Sequence, residues 1–320
     1  MAFLFSRIYS ANLFSACQGS VCFTTFHTSH LSISYDLLLE TEEKLSIILL
    51  FADLLESMQA AYLTDSLGGK SIMSDLLSYT IQGEPFMLFS VSHLVVLALF
   101  VLSVLALYLL RDRLRTSVAE KRVRYSLAGL LLFTEAAFQV WHVYTGSWSA
   151  AYTLPLQLCS ISLLFSIAML MFKSYRIYEF TYFLGLGGAL QAMLTPELFY
   201  PFPHFRFFHF FLAHAAIILA CLYMTWVAEY RPTIRSYWKA LGVLNLLLPI
   251  VLLANSVTGG NYMFVSQKPA NPSLLDYLGP YPWYILSLEG VAALLFFLLY
   301  LPFYAQSKRD RKPSQPGASV

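Results

Sequence analysis

The sequence predicts an all-α protein whose seven helices form a transmembrane bundle. Two observations carry this prediction, namely seven long apolar runs and a strict alternation of basic residues between the connecting loops. A helix needs about 20 apolar residues to cross the bilayer core. The runs span Phe86–Leu110, Arg124–Tyr144, Leu154–Phe172, Ile177–Leu194, Phe207–Val227, Trp238–Val257 and Pro282–Phe303. Only 12% of the residues are charged, against about 25% in soluble domains.

Basic residues orient the predicted bundle. They are concentrated at 111–124, at 173–176, at 231–239 and in the tail at 308–312, whereas the intervening loops carry only Arg206 and Lys268. By the positive-inside rule, the basic loops are cytoplasmic. We therefore expect the first helix to enter from outside and the tail to end inside. Short basic loops of this kind indicate contacts with anionic lipids and do not form a nucleic-acid surface.

The first 72 residues differ in character from the rest. They contain no apolar run long enough to span, an amphipathic stretch from Glu42 to Leu63, and no cleavable signal sequence. Met73 follows Gly68-Gly69-Lys70, which a purine-rich ribosome-binding sequence can encode. We interpret Met73 as the translation start, the alternative being a genuine N-terminal extension. Residues 73–305 then form the membrane domain, and residues 306–320 form a basic cytoplasmic tail.

Four chemically reactive residues are predicted to share one layer in the outer half of the bundle. Helical rise places Glu135, Cys159, His214 and Glu289 about 8–13 Å below the outer surface. Ionisable side chains at such depth are costly, so they normally face the bundle interior and mark a site. We expect these four to be catalytic. The alternative interpretation is an interhelical hydrogen-bond network that only stabilises the bundle, with Cys159 as a packing residue.

Other polar residues lie nearer the predicted outer surface and are candidates for substrate binding. Arg206, with histidines beside it, is suited to bind a phosphate or carboxylate head group. The full set is His142, Gln157, Gln191, Arg206, His209, Asn255, Asn261 and Tyr262. Trp141, His204 and His209 are also typical of an interfacial aromatic belt. The sequence has no CxxC and no spaced Cys/His signature, so we predict neither a metal nor a cofactor.

Several strings resemble the YwaF-type family of bacterial integral membrane proteins. They are FMLFSVSHL, LPLQLCSIS, GLGGALQAMLTPEL, FPHFRFFHFFLAH and the stretch from Gly259 to Gly290. The resemblance runs from about residue 86 to 303 and leaves out the first 72 residues. It implies a multi-pass protein of the bacterial cytoplasmic membrane and does not define an activity.

A second, more local similarity concerns a eukaryotic multi-pass family that transfers fatty acyl chains to ether phospholipids. That family has a Cys shortly after a Pro at the outer start of a helix, and a His in an aromatic-rich run two helices later. Cys159 after Pro155 and His214 in HFRFFHFFLAH are similar. The similarity implies that Cys159 is a nucleophile and that His214 is its base.

Three functions remain open from the sequence. The first is a lipid acyltransferase in which Glu135 or Glu289 orients the imidazole of His214; no GxSxG or HExxH motif is present. The second is a small-solute transporter or binding subunit that uses one of these carboxyl groups as a proton relay. The third is a structural or sensory bundle. Membrane lipids are the expected partners, and the sequence predicts no oligomeric state.

Overall fold

The fold was analysed in a computed structural model that describes residues 72–81, 83–268 and 274–310. The described residues form α-helices and short 3-10 helices and contain no strand, which confirms the all-α class. The helices are α1 (Ile72–Leu77), α2 (Val91–Leu114), α3 (Ser117–Tyr144), α4 (Leu158–Phe172), α5 (Tyr175–Leu194), α6 (Phe205–Trp226), α7 (Ile234–Thr258) and α8 (Trp283–Asp310). Two 3-10 helices span Tyr262–Phe264 and Leu274–Leu278. Almost all of the predicted N-terminal segment, and the end of the tail, lie outside the described residues.

The seven long helices α2 to α8 coincide with the seven predicted apolar runs, but only five are long and apolar enough to span. These five are Val91–Leu114, Ser117–Tyr144, Phe205–Trp226, Ile234–Thr258 and Trp283–Gln306. Helix α4 has 15 residues, about 22 Å at 1.5 Å per residue, which is short of a bilayer core of about 30 Å. Helix α5 is long enough, but its tyrosines, glycines and charged residues make it less apolar. The seven-span count and the orientation therefore stay predictions.

Local sequence sets where these helices begin. The third run was predicted from Leu154, yet α4 begins only at Leu158, with Gln157 extended at its N-cap. Pro155 disfavours helical conformation at the preceding residue, which accounts for the later start. Helix α2 begins after Ser90, whose side chain accepts from the backbone of His93. Helix α7 begins with a capping box between Thr233 and Ser236.

Helices α5 and α6 form the centre of the bundle. Helix α6 contacts α2, α3, α4 and α5, while α5 also contacts α7 and α8. Two glycines of α5 allow this close packing. A Cβ on Gly185 would lie 3.1 Å from Cγ2 of Ile217 on α6, and a Cβ on Gly187 would lie 3.2 Å from Cδ2 of Leu295 on α8. The position of α5 among its four neighbours, α4, α6, α7 and α8, therefore depends on these small residues.

We call the end of the bundle that carries the basic loops the inner end, and the opposite end the outer end. At the inner end, buried Arg124 bonds Glu120 at 3.0 Å, and Lys173 contacts the same carboxylate at 3.0 Å. The Arg124 guanidinium also donates to the carbonyls of Leu170 and Met171 in the last turn of α4. It therefore ties α3 to α4 and caps the negative end of the α4 dipole.

A second ion pair at the inner end joins α5 to α7. The buried carboxylate of Glu179 accepts from Lys239 and, at 3.0 Å, from the Ser236 hydroxyl. The Lys173–Glu120 pair links the end of α4 to α3, and the Lys239–Glu179 pair links α7 to α5, so we assign Glu120 and Glu179 a structural role.

Candidate functional site

Arg206 is the centre of a polar group at the outer end, where it lies in the first turn of α6. Its guanidinium carbon lies 4.5 Å from the ring centre of Phe138 and 5.8 Å from that of Trp141. Its Nη1 donates to Nδ1 of His209 at 2.9 Å. Glu135 is the nearby acidic group, yet no ion pair with Arg206 is found among the described residues. The guanidinium thus has cation–π contacts and an imidazole partner but no paired carboxylate.

The contact with Arg206 fixes the tautomer of His209. A guanidinium only donates hydrogen bonds, so Nδ1 of His209 must accept and the ring is neutral. The proton is therefore on Nε2. The His209 ring stacks on Phe138 with centres 5.1 Å apart, and His142 packs edge-on against the same Phe138 ring at 4.6 Å. These rings form an aromatic wall beside the guanidinium.

Glu135, Gln139 and His142 form a polar stripe on one face of α3, at intervals of four and three residues, and internal hydrogen bonds partly occupy it. Nε2 of Gln139 donates to Oε1 of Glu135 at 2.9 Å and to the carbonyl of Thr153 at 2.9 Å. Farther along the stripe, Nδ1 of His142 lies 2.7 Å from the hydroxyl of Ser147. Gln139 therefore connects the Glu135 carboxylate to the loop between α3 and α4.

His214 is buried on α6, two turns farther from the outer end than Arg206. Its Nδ1 donates to the backbone carbonyl of Phe210 at 2.6 Å. The proton is thus on Nδ1, and Nε2 is the basic nitrogen, for which we find no hydrogen bond among the described residues. Glu135 or Glu289 was expected to orient the imidazole, whereas the partner found for Nδ1 of His214 is the Phe210 carbonyl.

Cys159 lies in the first turn of α4, at the same level of the bundle as His214. Its Sγ lies 3.6 Å from the position of a Cβ on Gly188. One turn farther inward, Gly185 meets Ser162 of α4 and Ile217 of α6. Because His214 precedes Ile217 by one turn just as Cys159 precedes Ser162, the helix register puts both side chains near the level of Gly188. Helices α4 and α6 also contact each other directly.

Glu289 does not join this group. Its Oε1 accepts from Nδ2 of Asn245, an exposed residue of α7. Helix α8 packs against α5 and α7, on the side of the bundle away from α3. The prediction of one layer shared by four reactive residues therefore needs correction at Glu289, because depth along a helix does not determine the direction in which a side chain points.

Four of the predicted substrate-binding residues stabilise the outer loop instead. Asn255 Nδ2 donates to the Tyr262 carbonyl at 3.1 Å, and the Tyr262 hydroxyl donates to the Ala150 carbonyl at 2.8 Å. Asn261 Oδ1 accepts from two backbone amides, each at 3.1 Å, and Gln157 Oε1 accepts from the amide of Met263 at 2.9 Å. The polar atoms of these side chains are thus used to hold the loop against α4. Gln191 is exposed and bonds Thr195.

Gly260 allows the same loop to approach the connection between α3 and α4. A Cβ at this position would lie 2.3 Å from the carbonyl oxygen of Ala151. Any larger residue would therefore force the two loops apart.

A docked segment at the outer end was missed by the sequence analysis. Three successive carbonyls accept from side chains of the bundle: Leu77 from Trp141 at 2.9 Å, Ser78 from His204 at 2.8 Å and Tyr79 from Tyr200 at 2.9 Å. Trp141 and His204 were expected to be belt residues. Backbone acceptors leave no sequence signal, so only an unusual grouping of Trp, His and Tyr donors could have indicated this contact.

His204, just before α6, is held neutral between this segment and Arg206. Its Nδ1 accepts from the amide of Arg206 at 3.0 Å, so its Nε2 donates to Ser78. Burial lowers the pKa of His204, and the positive charge of Arg206 acts in the same direction, while the bond to Ser78 opposes them. The bond that Nδ1 accepts at the start of α6 therefore depends on a neutral imidazole, whereas the bond from Nε2 to the docked segment does not.

Comparison with known protein families identifies a match over most of the chain. The model of the TMEM164 family matches residues 88–300, well over half of the chain. No curated protein and no solved structure matches. The match supports the multi-pass membrane class that was predicted, but it does not support the YwaF-type assignment.

Proposed function

We propose that this chain, a multi-pass membrane protein that belongs to the TMEM164 family, is a membrane-embedded acyltransferase acting on anionic lipids. Cys159 is the nucleophile, His214 is its base, and Arg206 with His209 and His142 binds the lipid head group. We also propose that all seven long helices cross the bacterial cytoplasmic membrane with the outer end outside. The packing of α4 supports this, because α4 contacts α3, α5 and α6 and so needs less lipid contact of its own.

The tautomer of His214 is the observation that carries the proposal. A general base needs an unprotonated nitrogen directed at the group it activates. The bond from Nδ1 to the Phe210 carbonyl leaves Nε2 as that nitrogen. The register of α4, α5 and α6 supports a position of Cys159 at the same level of the bundle as His214. A thiol beside a neutral imidazole can transfer its proton and become a thiolate, which is the reactive form.

The reaction follows from these two groups. His214 Nε2 takes the thiol proton, and the Cys159 thiolate attacks the ester carbonyl of a donor phospholipid. The ester C–O bond breaks, and the leaving lysolipid takes the proton from His214. The hydroxyl of an acceptor lysolipid then gives its proton to His214 and attacks the thioester. The C–S bond breaks, and the thiolate returns with one acyl chain moved from donor to acceptor.

Arg206 supplies the head-group contact in this proposal. Phosphate and carboxylate groups bind arginine by paired charge-assisted hydrogen bonds. Arg206 is half-buried, and the described residues give it no ion pair, so an anion would complete its coordination. The rings of Phe138 and Trp141 cover one side of the guanidinium, and this exclusion of water strengthens its attraction to an anion.

The proposal is tested with purified protein in phospholipid vesicles that contain a labelled lysophospholipid. We expect label in diacyl product with the wild type, and none with Cys159→Ser or His214→Gln. Cys221→Ser is the matched control, since Cys221 is also a buried thiol but lies on the inner half of α6. Equal activity of Cys159→Ser and wild type would rule out the nucleophile. Uptake of a solute without acyl transfer would favour the transporter instead.

A further inference from the structure

The interface between α4 and α5 contains a column of small side chains that runs inward from Cys159. Cys159, Ser162 and Ser166 lie on one face of α4 at intervals of three and four residues. The facing side of α5 presents Gly188, Gly185 and Thr181. Ser162 Cβ lies 3.7 Å from the position of a Cβ on Gly185. Since the two helices are antiparallel, Ser166 lies about level with Thr181, one turn farther inward.

Three hydroxyls of this column are buried and have no partner. Ser162, Ser166 and Thr181 are 1%, 0% and 0% exposed, and their side-chain oxygens form no hydrogen bond with any described residue. Helical Ser and Thr normally satisfy such a hydroxyl with the carbonyl four residues earlier. Thr225 of α6 does so, bonding the Cys221 carbonyl at 2.8 Å. The column therefore contains three neighbouring hydroxyls that lack the usual hydrogen bond to the carbonyl four residues earlier.

We propose that this column is a binding site for ordered water. Buried water fills polar spaces where it can make two to four hydrogen bonds. The three unpartnered hydroxyls supply the hydrogen-bond partners that such a water requires. Cys221 of α6 borders the column at Gly185, because its Sγ lies 3.4 Å from the position of a Cβ on that glycine. The hydroxyl of Ser162 is one turn inward from Cys159, so water bound there would reach that thiol from the inner side. This inference does not depend on the proposed acyltransferase activity.

Radiolytic footprinting of the full-length protein in lipid nanodiscs tests the site directly. X-ray pulses generate hydroxyl radicals from bound water, which oxidise adjacent sulfur atoms even where bulk solvent has no access. Cys221 and Met193 are both almost completely buried, at 0% and 1% exposed, but only Cys221 borders the column. We expect Cys221 to be oxidised severalfold faster than Met193. Equal, slow oxidation of both residues would overturn the proposal.

A variant without the hydroxyls provides the second arm. Combining Ser162→Ala, Ser166→Ala and Thr181→Val removes the partners of the water, so oxidation of Cys221 should fall to the rate of Met193. Ser103→Ala, an exposed serine on α2, should leave both rates unchanged. The Tm of thermal unfolding distinguishes a column that contains water from one that does not. Removing dry, unpartnered hydroxyls raises the Tm, so a higher Tm in the triple variant would also overturn the proposal.

Discussion

Arg124 and Arg206 lie at opposite ends of the same bundle and have contrasting surroundings. Arg124 at the inner end bonds Glu120 at 3.0 Å and caps α4 through the carbonyls of Leu170 and Met171. Arg206 at the outer end contacts two aromatic rings and His209, and the described residues offer it no ion pair. The inner arginine is fully used in holding helices together. The outer one retains the capacity to bind an anion.

This contrast distinguishes polar residues that stabilise the bundle from polar residues that remain available to a ligand. A buried charge that is completely paired needs nothing more from its surroundings, whereas a half-buried guanidinium without a carboxylate leaves electrostatic free energy to be gained. The same distinction applies to the polar side chains at the outer end. Gln157 and Asn255 are used by the outer loop, while Nε2 of His214 is not used by any described residue.

The largest expected effect is a loss of stability when the charged side chain of Arg124 at the inner end is removed. Arg124→Leu leaves the Glu120 carboxylate with Lys173 alone and removes the cap of α4. We expect a loss of about 3 kcal/mol in the free energy of unfolding, measured by denaturant titration in mixed micelles. Arg206→Leu is the matched control and should cost clearly less. Similar losses in the two variants would show that both arginines are structural.

The next effect concerns ligand binding at the outer arginine. Arg206→Gln keeps a polar side chain but removes the charge, and a charged hydrogen bond contributes about 1.5–3 kcal/mol. We therefore expect roughly 10- to 100-fold weaker binding of a short-chain anionic phospholipid, measured by calorimetry in detergent. Binding of a neutral diacylglycerol should not change. If Arg206→Gln binds the phospholipid as tightly as the wild type, the head group lies elsewhere.

A smaller effect is expected where the segment around Leu77 docks on the outer end. Trp141→Phe retains the ring but removes the bond to the Leu77 carbonyl, which contributes about 1 kcal/mol. Amide hydrogen exchange in residues 77–81 should accelerate severalfold while the core of α6 is unchanged. Trp238→Phe, at an exposed position of α7, is the control. No acceleration in Trp141→Phe would mean that the segment is held by other contacts.

The smallest effect is a pH dependence that originates from His204. Its pKa is lowered in the folded protein from the ordinary value of 6.5, so the unfolded chain binds the proton more readily. The contribution of neutral His204 is complete above pH 6.5 and is lost as the pH falls toward the lowered pKa. Protonation of Nδ1 breaks its bond to the Arg206 amide, so protection of that amide from exchange should decline in that range, while the bond from Nε2 to Ser78 is kept. His204→Asn should flatten the profile; an unchanged profile would assign the dependence to another group.

The sequence predicted the helices well because each apolar run is long and bounded by polar loops. The sequence-based prediction overestimated the length of α4, because Pro155 and the extended Gln157 delay the start of that helix. It could not determine which way a side chain points around a helix axis. Glu289 shares the predicted depth of Cys159 and His214, yet packing of α8 against α5 and α7 directs it to Asn245.

The sequence also could not identify the hydrogen bonds that side chains donate to backbone carbonyls. The Phe210 carbonyl orients His214, and the Leu77 carbonyl accepts from Trp141. Neither partner is identifiable from residue type, because every residue has a carbonyl. The predicted start at Met73 concerns residues that lie mostly outside the described ranges, and it stays a prediction.

The central claim is that Cys159 carries an acyl group during turnover, and intact-protein mass spectrometry tests it most directly. Protein incubated with a donor phospholipid in the absence of acceptor should gain the mass of one acyl chain, located at Cys159 and removed by neutral hydroxylamine. Addition of lysophospholipid should discharge it, and Arg206→Gln should accumulate it more slowly. An acyl-free Cys159 under these conditions, with diacyl product still formed, would contradict the account.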